Sequence, residues 1–215
     1  MKKTLLLISA IVLIGIEGQS QSYFTEEVET IVEQSRAKGL DQPVVFIGSS
    51  SIRLWNTLEE DFPDFPVLNH GFGGSEYSDL IQFQEQLIEE FEPSMLVVYA
   101  GDNDIANGEE PTAIAEEAET FVDGLRRIAN GAPVVVLSAK PSIARWELKD
   151  KYVELNGKLD TLVSTMDHAV FVDVWTPMLK RNGEVDKKLF IEDGLHMNEK
   201  GYEIWKNALK PFLSR

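Results

Sequence analysis

Four short segments hold the residues able to do covalent chemistry. Gly48-Ser49-Ser50-Ser51-Ile52 follows the apolar run Val44-Val45-Phe46-Ile47. A serine on such a strand-to-helix turn sits near the positive end of a helix, where developing negative charge is favoured, and Gly48 permits a tight turn. The same serines could instead cap a helix over 51–55 or form an anion-binding loop, although no Gly-Lys-Ser/Thr signature supports the latter. Asn69-His70-Gly71-Phe72-Gly73-Gly74-Ser75 is rich in glycine, so it either exposes backbone N–H donors or simply turns the chain. Gly101-Asp102-Asn103-Asp104 follows a third apolar run. There the Asn103 amide is an uncharged donor that could face an oxyanion, or part of an Asx-type turn. Asp193-Gly194-Leu195-His196 pairs a carboxylate with a histidine three residues later. That spacing lets the carboxylate hold one ring nitrogen while the other faces a nucleophile; the alternative is a surface loop with a capping Asp. Of the other histidines, His168 reads as an edge residue and His70 as a packing or solvent residue beside the glycines.

The elements that must carry these segments are five short apolar, β-branched runs over 43–48, 66–69, 95–100, 133–138 and 169–174. Most are continuous rather than alternating, as strands buried on both faces are. Helical spacing links Ile114, Ala118, Phe121, Leu125 and Ile128. It also links Tyr152, Leu155, Leu159, Leu162 and Met166, and finally Tyr202, Trp205, Leu209 and Phe212. Strands alternating with helices predict an α/β chain with a five-stranded parallel sheet and helices on both faces. Ligands of such open sheets bind beyond the carboxyl ends of the strands. Three clusters fall there, and the fourth precedes the last helix.

The 215 residues suit one core. The formal charge of −16 disfavours binding to a phosphate backbone, so no nucleic-acid partner is expected. Lys2 and Lys3, the apolar run 5–16 and the polar stretch 17–22 have the order of a secretory signal. Gly18 and Ser20 are small enough for the −3 and −1 positions, which predicts cleavage after Ser20 and a domain over 21–215. The run is short for a membrane span; an uncleaved anchor is the competing interpretation. Export to a periplasmic or extracellular location follows from the signal, with no membrane span in the mature chain. The sequence holds no Cys, which excludes disulfides and thiolate metal sites. It carries no signal for a particular oligomeric state.

In their order the four clusters resemble the blocks of the SGNH hydrolase superfamily, the GDSL-like lipases and acylhydrolases, from about residue 43 to the C-terminus. The stretches 99–105, Lys140-Pro141-Ser142 and Gly201-Tyr202 are similar to its platelet-activating-factor acetylhydrolase-like branch. Two positions depart from the usual block: Ser49 stands where the family has Asp, and Ser51 where it has Leu. The resemblance implies a three-layer α/β/α sandwich with a flavodoxin-like sheet. It implies Ser50 as nucleophile, His196 as base and Asp193 as its orienting acid. The N–H groups of Ser50 and Gly74 and the Asn103 amide would be the oxyanion donors, with no metal or organic cofactor. The expected reaction is ester hydrolysis on a small-molecule or carbohydrate substrate. The chain shows no long apolar insertion to enclose an acyl tail, which favours a short acyl group such as acetyl. A lysophospholipase or thioesterase is the runner-up. Outside that class stand a non-catalytic carbohydrate-binding protein and a flavodoxin-like nucleotide binder. Arg145 and Trp146, after the fourth strand, could contact substrate or pack locally.

Overall fold

The computed structural model describes residues 24–213. The expected signal segment 1–20 lies outside the described residues. A helix over 24–38, α1, leads into β1 (Val44–Gly48), α2 (Ser50–Arg53) and α3 (Leu58–Asp61). Then come β2 (Val67–Gly71), α4 (Tyr77–Ile88), β3 (Met95–Tyr99), α5 (Asp102–Asn107) and α6 (Pro111–Ile128). The chain continues through β4 (Val134–Leu137), α7 (Lys149–Ser164), β5 (Ala169–Val172) and α8 (Glu199–Leu209). The five strands form one parallel sheet in the order β2-β1-β3-β4-β5, the flavodoxin-like order.

Side chains alternate across each strand, so one apolar run feeds two cores. Val45, Ile47, Leu96, Val98, Val134 and Val136 face the layer made by α1, α4, α6 and α7. Val44, Phe46, Val97, Tyr99, Val135 and Leu137 face α2, α3 and α8, where Trp55, Tyr202 and Trp205 pack together. This is why the runs read as continuous: both faces are covered. Local signals start the helices. Pro111 opens α6 at a position where a missing N–H costs nothing, and Asn198 caps α8 by accepting from the N–H of Lys200 at 2.9 Å. No helix among the described residues is long and apolar enough to cross a membrane.

Three boundaries differ from the sequence expectation. The helix expected over 51–55 is instead Ser50–Arg53. The second strand runs on through His70 and Gly71, because a Cβ at Gly71 would lie 2.3 Å from the Arg53 backbone nitrogen and only glycine continues the strand there. Phe212 is 37% exposed, whereas Tyr202, Trp205 and Leu209 are buried. The helix ends at Leu209, the turn that follows rotates the chain out of register, and Leu213 is buried in place of Phe212.

Candidate active site

The strand order makes β1 the pivot of the site. Connections leave it to β2 on one side and then cross to β3 on the other, so the switch point at which open sheets bind ligands falls at the carboxyl ends of β1 and β3. Backbone bonds continue past the strands and hold three loops together. The N–H of Phe72 donates to Gly48 O at 2.9 Å, and the N–H of Ser49 donates to Tyr99 O at 3.2 Å. Gly48 is obligatory here: its φ is +151°, and a Cβ would stand 2.0 Å from the Tyr99 carbonyl oxygen. The loop after β1 is therefore flanked by the loops after β2 and β3.

Exposure and partner set the middle one of the three adjacent serines apart. Ser49 occupies the N-cap position of α2 but makes no side-chain cap bond, and it is buried. Ser51 is also buried, and its backbone carbonyl accepts from the Tyr202 hydroxyl at 3.0 Å. Ser50 is half-exposed, and its Oγ lies 3.0 Å from His196 Nε2. With four residues, α2 has little macrodipole, so any help to an anion at Ser50 comes from individual N–H groups.

The His196 ring is oriented from behind. Its Nδ1 lies 2.6 Å from Asp193 Oδ2, while Asp193 Oδ1 accepts from the N–H groups of Leu195 at 2.8 Å and His196 at 2.9 Å. Slight burial raises the Asp193 pKa, but the His196 ring and these two N–H donors outweigh it and hold the carboxyl at about 2. An ionised carboxylate only accepts, so the proton of a neutral ring must sit on Nδ1. Nε2 is then left with its lone pair facing the Ser50 hydroxyl.

Gly74 is exposed and has φ +85°, a conformation in which a side chain would be strained, while the N–H of Gly73 donates to Glu27 Oε1 at 3.4 Å. Among the described residues the N–H groups of Ser50 and Gly74 have no hydrogen-bond acceptor. Asn103 lies in the first turn of α5, and its Nδ2 donates to Ser75 O at 3.0 Å, next to Gly74. The amide thus bridges the loop after β3 to the glycine loop after β2.

Arg145 points inward, to Asp102 and to Asn103 Oδ1. Trp146 stacks on Trp175 with ring centroids 6.0 Å apart, and Lys149 Nζ stands 5.7 Å from its ring centre. Trp146 thus packs against an aromatic neighbour, whereas Arg145 reaches partners 42 and 43 residues earlier in the chain. His70 is fully buried; its ring nitrogens meet Leu87 O at 2.8 Å and Ser35 Oγ at 2.9 Å. Burial pushes its pKa down to about 4, so it is a neutral packing residue.

Behind Asn103 lies a charge network in which the sequence singled out only Arg145; Asp102 and Lys140 stood in motifs without a role of their own. Asp102 is buried, and its carboxylate accepts from Lys140 Nζ at 2.8 Å, Arg145 Nη1 at 2.5 Å, the Tyr99 hydroxyl at 3.0 Å and the Tyr152 hydroxyl at 2.6 Å. Burial alone would raise the Asp102 pKa, but Lys140 and Arg145 outweigh it and hold the group well below the ordinary carboxylate range. The available signal was Lys140, a cation three residues past the end of an apolar strand.

A three-layer α/β/α sandwich that brings a serine at a strand end within hydrogen-bond distance of a histidine backed by a carboxylate has the architecture of a serine ester hydrolase. Consistent with this, the model of the GDSL-like lipase/acylhydrolase family matches residues 48–204, and the chain belongs to that family. Solved structures agree on the fold. A Streptococcus pneumonia protein, provisionally described as a platelet activating factor, superposes with TM-score 0.78 at 19% identity, covering 94% of this chain and 99% of its own. A GDSL-like lipase from Bacteroides thetaiotaomicron gives 0.70 at 21%, covering 86% and 96%. A mutant of an acetyl-xylooligosaccharide esterase from Geobacillus Stearmophilus gives 0.65 at 11%, covering 81% and 95%. No curated protein matches the sequence closely enough to be called a relative.

Proposed function

We propose that this esterase works through an acyl-enzyme on Ser50, with His196 as general base and acid and Asp193 as its orienting carboxylate. The relay from Asp193 Oδ2 through the imidazole to Ser50 Oγ, at 2.6 and 3.0 Å, carries the reading. His196 Nε2 takes the hydroxyl proton as Ser50 Oγ attacks the ester carbonyl. Negative charge moves to the carbonyl oxygen, where the N–H groups of Ser50 and Gly74 and the Asn103 amide stabilise it. The intermediate collapses, the C–O bond to the alcohol breaks, and the imidazolium returns its proton to the leaving alkoxide. Water, deprotonated by His196, then attacks the acyl-enzyme and releases the acid with Ser50 restored. Each step balances without a metal or organic cofactor.

For substrate we propose a short acyl group, acetyl foremost, on a carbohydrate or small alcohol. Supporting this, the β4–α7 connection beside the site is packed against Asp102 and the Asp193–His196 turn instead of forming an apolar cap. The Geobacillus acetyl-xylooligosaccharide esterase is an instance of the same fold acting on such esters. We also propose that residues 1–20 are removed on export, on the strength of Lys2, Lys3 and the apolar run; mass spectrometry of the exported chain should find Gln21 at the N-terminus, and a chain still beginning at Met1 would refute it.

The test of mechanism combines labelling with substitution. A fluorophosphonate should modify Ser50 alone, and Ser50→Ala should lower kcat by several orders of magnitude while the protein stays folded. Ser49→Ala and Ser51→Ala should keep substantial activity. An adduct on either neighbour, or a Ser50→Ala variant with near-normal kcat, would sink the assignment. In the same assay, p-nitrophenyl esters of growing chain length should show falling kcat/KM beyond acetyl. Equal or better rates on long chains would point to a lysophospholipase or thioesterase instead.

A further inference from the structure

The loop between β4 and α7 touches both halves of the site. The N–H groups of Ile143 and Ala144 donate to Gly194 O at 2.8 and 3.1 Å, inside the turn that holds Asp193 and His196. Arg145 reaches the other half. Its Nη1 donates to the Asp102 carbonyl at 2.8 Å as well as to the carboxylate, and its Nη2 donates to Asn103 Oδ1 at 3.1 Å.

A guanidinium has donors only, so the amide atom facing it must be the oxygen. The NH2 group of Asn103 is thereby turned the other way, toward Ser75 and the glycine loop. Ser75 and Arg145 together hold the two ends of the amide; without Arg145 only the bond to the Ser75 carbonyl resists a half turn about the last side-chain bond. With its oxygen forward, Asn103 would repel an oxyanion instead of binding it.

The guanidinium is itself held in place: its Nη1 ends on the Asp102 carboxylate, and the side chains of Asp102 and Arg145 are 5% and 19% exposed.

We propose that Arg145 is a positioning residue of the oxyanion site, locking the Asn103 amide with its NH2 group toward the reacting carbonyl. This rests on the reading of Ser50 as nucleophile and of Asn103 as an oxyanion donor. Arg145 touches no reacting atom; it acts through Asn103.

The test is a double-mutant cycle on the full chain, read by kcat and KM on p-nitrophenyl acetate and by melting temperature. Asn103→Ala should lower kcat about 100-fold or more, the usual loss for one oxyanion donor. Arg145→Met should lower kcat about 10- to 100-fold with KM changed little, because the loss falls on the transition state. The double variant should be no slower than Asn103→Ala alone. Arg145→Lys keeps a cation for Asp102 but lacks the planar fork that serves Asp102 and Asn103 together. It should melt near the wild type and still lose most of the activity that Arg145→Met loses, so the test survives if the Met variant does not fold. Losses that multiply in the double variant, or an Arg145→Lys enzyme of wild-type kcat, would overturn the positioning role. If that happens while Ser50→Ala is inactive, the nucleophile reading stands and only Arg145 falls. A wild-type chain without esterase activity overturns both.

Discussion

Asp102 and Asp104 lie two residues apart in α5, both are buried, and their surroundings are opposite. Asp102 meets two cations and two hydroxyls. Asp104 meets backbone donors, the N–H of Tyr77 at 2.9 Å and of Gly101 at 3.1 Å, and beyond them other acids. Its carboxyl oxygens and those of Glu109 and Glu117 fall within 4.8 Å of one another. Burial pushes the Asp104 pKa up to about 7; the backbone N–H groups of Tyr77 and of Asp104 itself oppose this, and Glu76 and Glu109 add to it. The same side chain is thus a fixed anion on one side of the helix and a titrating acid on the other. Depth of burial does not decide the charge of a carboxylate; the sign of its neighbours does.

The largest expected effect comes from breaking the paired side. Asp102→Asn leaves Lys140 buried without its anion and Arg145 with only neutral acceptors. Removing one member of a buried ion network typically costs ~3–5 kcal/mol, because the remaining charge is uncompensated. Denaturant unfolding should show that loss at pH 7. A variant within about 1 kcal/mol of the wild type would mean that water already screens the network.

That network also marks the limit of what the chain reveals before it folds. The strands were legible because a parallel sheet covered on both faces demands unbroken apolar runs, such as Val44-Val45-Phe46-Ile47 and Val134-Val135-Val136-Leu137. The four chemical clusters were legible because a parallel sheet gathers its loops at one end. Asp102 and its partners were not. Lys140 and Tyr152 stand 38 and 50 residues away in sequence, and nothing in a lone lysine tells whether its ammonium is solvated or buried. Arg145 was noticed, but its direction depends on Asp102, 43 residues earlier. Phe212 illustrates the complementary limit: a 3.6-residue period extends past the point where the helix stops.

The acid side should respond to pH rather than to charge removal alone. The folded-state pKa of Asp104 lies above its unfolded value, so the folded protein binds more protons between them. Stability from this group is therefore fully present at low pH and lost as pH rises through about 7. Going from pH 8 to pH 6 should stabilise the protein by ~1–2 kcal/mol from Asp104. Asp104→Asn keeps one carbonyl acceptor for the two N–H groups, so it should be less stable in absolute terms, with a flatter slope over that interval. Melting curves at pH 6, 7 and 8 check this; an unchanged slope in the variant would assign the pH response to other groups.

The smallest effect sharpens the contrast because its sign is opposite to the first. Glu117 Oε2 is buried and has no hydrogen-bond partner among the described residues. Burial, then the charges of Glu109 and Glu76, raise the Glu117 pKa, so its ionised form is disfavoured where it stands. Glu117→Gln removes one like charge and places an amide N–H donor beside carboxylates that only accept. At pH 8 the substitution should therefore stabilise the protein, by ~0.5–1 kcal/mol or a melting shift of roughly 1–4 °C for a chain of this size. As pH falls toward 6, Asp104 becomes protonated, the repulsion weakens, and the gain should shrink. A carboxylate held by cations, as Asp102 is, cannot be stabilised by losing its charge. If Glu117→Gln lowers the melting temperature at pH 8, the second cluster too is held by compensating donors, and the two sides of α5 differ less than their neighbours imply.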